Sequence, residues 1–195
     1  QALGVRAESL EVDLSSPKAP TQVLDTVSAK LGNLSILVNN AAHSVEDGFE
    51  TLDASILDAS YAVNLRATAL LSVEFARRYS SGKGGRIINL TSGQFQAPML
   101  GEIAYAATKG AVDALTVTLA AEVAAKGITV NAVNPGPTDT GWMTEAVKRE
   151  LLPRFPMGRL GQAEDAARLV MFLARDDAQW ITGQIIHSEG GFRRT

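Results

Sequence analysis

The chain has 195 residues and a formal net charge of −3, with 46% apolar and 20% charged residues and no Lys/Arg runs; this fits one globular domain with a sizeable core and argues against nucleic acid as a main partner. It has no cysteine and two distant histidines, His43 and His187, so disulfides, thiol chemistry and cysteine-bound metals are excluded and no metal site is expected. Its apolar runs fall far short of a membrane span and its opening residues do not read as a signal peptide, so the expected setting is the cytoplasm, with no membrane partner.

Along the chain, two patterns alternate. "ESLEVDLSS" (8–16) reads as a strand leading into a helix over roughly 21–31 that Thr21 opens. "LSILVNNAA" (34–42) is the next strand, followed by a helix over roughly 53–79 with Asp53 as its N-cap. "GRIINLTSG" (85–93) is a strand, and a helix over roughly 103–126 stops at Gly127. "GITVNAVNPG" (127–136), a helix over roughly 163–175 and "GQIIHSEGG" (183–191) complete the series. Short apolar runs between helical stretches predict an α/β fold, a parallel sheet covered by helices on both faces. There is no internal repeat, no low-complexity tract and no linker.

Polar residues cap three of these strands: Asn39 and Asn40, Thr91 and Ser92, and Asn134-Pro135-Gly136. Ligands of open α/β sheets sit at the carboxyl ends of the strands, so the three caps together point to one crevice, although each alone also fits ordinary turn chemistry. Tyr105 and Lys109 are four apart on a predicted helix and share a face. A nearby ammonium is expected to lower the tyrosine pKa toward the working pH, as a general acid or base needs. Ser92, at a strand end, is placed to donate a hydrogen bond to a substrate oxygen at the same spot.

At these residues the chain resembles the short-chain dehydrogenases/reductases. "NNAA" (39–42), "VNL" around Asn64, the serine of "LTSG", "YAATK" (105–109) and "NPGPTDT" (134–140) follow one another in the order found in that family. The resemblance covers residues 8–192 and is nearest in type to the 3-oxoacyl-carrier-protein reductases. It implies a Rossmann-like, doubly wound fold and an oxidoreductase that uses NAD or NADP. By the same resemblance, Tyr105 is the acid/base and Ser92 polarises the substrate carbonyl. Lys109 assists the tyrosine and holds the nicotinamide ribose, and Asn64 holds a water in a proton relay.

The family's cofactor contacts map here to Asp13, Leu14, Asn39, Ala41, Tyr105, Lys109, Pro135, Gly136, Thr138 and Thr140. Asp13 is also readable as a helix cap, and Asn39 as a tie between neighbouring strands. "GWMTEAVKRELLPRFPMGRLG" (141–161) falls where the family keeps a substrate lid, with Trp142 and Met143 as lid contacts, while Leu151, Leu152 and Phe155 fit plain packing equally well. Gln94, Phe95, Gln96 and Glu102 are further pocket candidates, and His43 either faces the substrate or is an ordinary surface or packed histidine. The C-terminal segment resembles one that packs against a partner subunit, so a homotetramer or homodimer is expected.

The chain departs from the family pattern in places. "NNAG" is "NNAA" here, and Glu189 stands where an aspartate is usual. The glycine-rich turn that receives the pyrophosphate, and the strands flanking its helix, have no counterpart in the sequence. The expectation is that roughly 50–60 residues precede this segment in the natural chain, and that the sheet has a gap and an apolar edge without them. The leading function is hydride transfer between NAD(P)(H) and a ketone or secondary alcohol, a 3-oxoacyl thioester first. A dehydrogenase of another small alcohol, sugar or steroid is the alternative, and a non-catalytic scaffold or regulatory member is the alternative of a different class.

Overall fold

The apolar runs at the centre of the sheet, Gly85–Leu90 and Ile128–Asn134, become strands buried on both sides. A computed structural model describes residues 4–80 and 84–194. Among these the elements run α1 (Ala19–Leu31), β1 (Ile36–Asn39), α2 (Ala54–Ser60), a π-helical segment (Tyr61–Ala67), α3 (Thr68–Arg78), β2 (Gly85–Leu90), α4 (Ile103–Val123), β3 (Ile128–Asn134), β4 (Thr138–Asp139), α5 (Glu145–Leu151), β5 (Gly161–Gln162), α6 (Ala163–Leu173) and β6 (Ile185–His187). Strands β1, β2, β3 and β6 form one parallel sheet in that order, and β4 pairs with β5.

Strand side chains alternate between faces, and neighbours in β2 show it. Ile87 joins a cluster with Leu24 of α1, Phe75 of α3 and Leu119 of α4, while Ile88 joins Leu173 of α6 on the opposite side. Helices therefore cover both faces, and all of β3 is buried between them. This is the doubly wound α/β arrangement.

Local chemistry sets the helix ends. Asp53 accepts from the Ile56 N–H at 2.9 Å and caps α2. Gly127 takes φ +72 after the short 3₁₀ turn that follows α4, a conformation other residues adopt only with strain. Helix α1 begins earlier than expected. Lys18, not Thr21, holds its cap position, and Pro20 sits in the first turn, where its missing N–H is no loss. The expected strand at 8–14 is not formed. Among the described residues no strand lies beside it to complete a ladder, and the segment instead closes a turn in which Ser16 N–H donates to Asp13 O at 3.1 Å. On the same side of the sheet β1 has no outer neighbour among the described residues, and its Ile36 and Val38 are 46% and 42% exposed.

Candidate active site

Asn39 closes β1, Asn134 closes β3 and Thr91 follows the last residue of β2, so the three polar caps stand together at the sheet's carboxyl edge. Thr91 continues the ladder by one bond, its N–H donating to Val133 O at 2.9 Å. Ser92 follows on the loop that leads to α4. That helix places Tyr105 in its first turn and Lys109 in the next.

Lys109 is only 3% exposed. Its Nζ donates to Leu90 O at 2.7 Å and lies 5.5 Å from the centre of the Tyr105 ring. Burial brings the ammonium down to about 8, against the opposing pull of the Asp113 charge. The Tyr105 phenol moves the other way from the expectation. Burial pushes it above its ordinary value; a hydrogen bond with Ser92 lowers it, and the Glu102 charge raises it. The Lys109 ammonium is engaged at the end of β2 and faces the ring, so in this arrangement it does not offset the burial of the hydroxyl.

Asn64 lies in the π-helical segment, a wider turn of the kind often found at functional positions. Its Oδ1 accepts from His43 N–H at 2.6 Å, and its Nδ2 donates to His43 O at 2.8 Å and to Thr108 Oγ1 at 3.0 Å. The amide thus ties the loop after β1 to the turn of α4 that carries Tyr105. Of His43, it is the backbone that enters this arrangement.

Among the remaining candidates, the Asp13 carboxylate accepts from both the Ser15 N–H and the Ser15 hydroxyl at 2.8 Å, which hold it below the usual carboxylate range. Leu14 packs against the core beneath it. Asn39 donates to Asn89 Oδ1 at 2.8 Å and Ser72 Oγ at 3.0 Å, so its side chain ties β1 to β2 and α3. Ala41 is exposed beyond β1.

After β3, Gly136 takes φ +62, and a Cβ there would stand 2.8 Å from Glu189 Cγ, so only glycine suits the turn. Pro135 O and Gly136 O both receive the Thr138 hydroxyl at 3.2 Å, and Thr140 is exposed. Trp142 is exposed and donates to Thr138 O at 2.9 Å, while Met143 is buried and Phe155 packs against Phe192 in a tilted pair with ring centres 4.8 Å apart. Gln94 turns toward α4 and donates to Asp113.

Residues outside the sequence reading hold the site in place. Asp47 is buried and accepts from Ile103 N–H at 2.5 Å and Ala104 N–H at 2.9 Å, fixing the start of α4 immediately before Tyr105. Its separation from them, 56 residues from the nearer, leaves no local signal.

A family model described as Enoyl-(Acyl carrier protein) reductase matches residues 1–193. An "Uncharacterized oxidoreductase YjdA" of Bacillus subtilis (strain 168) is 58% identical over 98% of this chain and 77% of its own length. A mutant of a Serratia marcescens short-chain dehydrogenase/reductase superposes with a TM-score of 0.90 at 35% identity, covering 98% of this chain and 78% of that one. A blue fluorescent protein from a metagenomic library, solved in complex with NADPH, gives a TM-score of 0.89 at 32% identity over 98% of this chain and 78% of its own. The chain belongs to the short-chain dehydrogenase/reductase family, and it is an oxidoreductase of that class.

Proposed function

We propose that this protein transfers a hydride between NAD(P)(H) and a ketone or secondary alcohol, with a 3-oxoacyl thioester as the first substrate class. The observation that carries the reading is the assembly of Ser92, Tyr105, Lys109 and Asn64 on one side of the sheet's carboxyl edge. The donor chemistry fits a dinucleotide. An ammonium has three N–H donors, and Leu90 O takes one of those on Lys109, so the others suit ribose hydroxyls. Pro135, Gly136, Thr138 and Thr140 would border the carboxamide and phosphates, and Asp13, Leu14, Asn39 and Ala41 the adenosine end. A relative named 3-oxoacyl-[acyl-carrier-protein] reductase, 36% identical over 98% of this chain and 78% of its own length, supports the 3-oxoacyl thioester class.

When bound, NAD(P)H supplies the hydride that converts the carbonyl carbon to a carbinol. Ser92 donates a hydrogen bond to the carbonyl oxygen and draws negative charge toward it. Tyr105 gives that oxygen its proton, and Lys109 steadies the phenolate left behind. Asn64 holds the turn of α4 on which this happens. Gln94, His43 and Trp142 border the substrate side in this reading, Trp142 through its exposed ring and the others through the loops they fix.

The protein would act in the cytoplasm as a homodimer or homotetramer. Exposed apolar groups on and beside α6, Met171, Phe172 and Trp180, support self-association, and sedimentation at the mass of one chain would contradict it. The functional test is consumption of NADH and NADPH against a ketone panel that includes a 3-oxoacyl thioester. Turnover with one cofactor preferred is expected. Cofactor binding without turnover of any ketone would favour another alcohol class, and no cofactor binding by the full-length protein would favour the scaffold.

A further inference from the structure

Ser92 and Tyr105 belong to different elements, and catalysis needs them held in one geometry. The ladder between β2 and β3 guides the Ser92 loop only as far as Thr91, whose hydroxyl reaches Lys109 O at 3.4 Å. Past that point a side-chain bridge takes over. Gln94 Nε2 donates to Asp113 Oδ2 at 2.5 Å and lies 3.5 Å from Thr91 Oγ1.

Asp113 sits one turn beyond Lys109 on α4 and is 5% exposed. Its other carboxylate oxygen, Oδ1, is buried without a partner among the described residues. On stability alone this is a poor place for an acid. Aspartate is a weak helix former, and a buried oxygen with no donor carries a desolvation cost that an alanine would avoid. A residue that breaks local rules beside a site calls for a role in that site.

We propose that Asp113 is a positioning residue: through Gln94 it pins the loop that carries Ser92 to the helix that carries Tyr105 and Lys109. The inference rests on the proposed roles of those three residues. It makes Gln94 a structural strut of the loop rather than a free substrate contact.

The experiment compares Asp113→Ala and Asp113→Asn with wild type in ketone reduction, hydrogen exchange over residues 91–97 and thermal melting. Asp113→Ala is expected to lower kcat about tenfold or more with KM within roughly twofold, a misplaced group rather than lost binding. It should also speed exchange over 91–97 while melting cooperatively. Asp113→Asn still offers Gln94 an acceptor oxygen and should keep most of kcat. An alanine variant with wild-type kcat and wild-type exchange overturns the proposal. So does an asparagine variant as impaired as the alanine one. The exchange measurement needs no turnover, so a wild type inactive toward every ketone would overturn the functional reading while the loop's exchange still judges Asp113.

Discussion

Tyr105→Phe should lower kcat for ketone reduction by about 10³-fold, the middle of the range for removing a general acid. Phenylalanine keeps the ring that Lys109 faces and removes only the hydroxyl. The fold and the binding of cofactor should therefore survive, and a melting curve and a cofactor titration would check both. The direction of the phenol's pKa strengthens the expectation. Burial and the Glu102 charge hold it above the ordinary value near 10, so at neutral pH the group is a protonated donor suited to reduction. A variant that kept more than about a tenth of wild-type kcat would remove Tyr105 from the role of principal acid.

The second large effect is a pH limb set by Lys109. Burial brings its ammonium from its ordinary value near 10.5 down to about 8. Below that pH the cation is present to steady the Tyr105 phenolate as the proton leaves, and above it the amine is neutral. The kcat/KM for reduction should thus be level on the acidic side of about 8 and fall beyond it. Lys109→Met should be slower by about 10²-fold and lose that limb.

Stability should respond with the opposite sign. The folded-state pKa is the lower one, so between about 8 and 10.5 the unfolded chain binds the proton and the folded chain does not. The contribution of this group to stability therefore rises with pH over that window. The difference in unfolding midpoint between wild type and Lys109→Met isolates it. A wild-type activity profile that stays level well above the window, with Lys109→Met equally active, would contradict this account.

How far the sequence could be read follows from the range of each interaction. The Asp53 cap and the Gly127 stop are decided within a few residues, and both stand where the sequence places them. The parallel strands follow from unbroken apolar runs, and the spacing of Ser92, Tyr105 and Lys109 is itself local. What was hidden depends on distant partners. Residues 8–14 have a strand's composition, but a strand needs a neighbour, and the segment makes a turn instead.

The direction of the Tyr105 shift could not be read from a four-residue spacing. It depends on burial and on where the Lys109 ammonium is spent, at Leu90 O. Asn39 fitted both a ligand contact and a strand tie, and its bonds to Asn89 and Ser72 are those of a tie. The π-helical turn at Asn64 has no pattern in the apolar spacing. Asp47 and Asp113 act across 56 and 19 residues, on a helix start and a loop that only the fold brings to them.

The central claim is hydride transfer to a carbonyl carbon, and label transfer tests it most directly. The full-length protein would be given NADH or NADPH deuterated at both positions of the nicotinamide C4, with a 3-oxoacyl thioester in ordinary water, and the product examined by mass spectrometry. The account predicts an alcohol with one deuterium at the carbinol carbon, formed about 10³-fold more slowly by Tyr105→Phe than by wild type. An alcohol formed without deuterium, or formation at equal rates by both proteins, would contradict it.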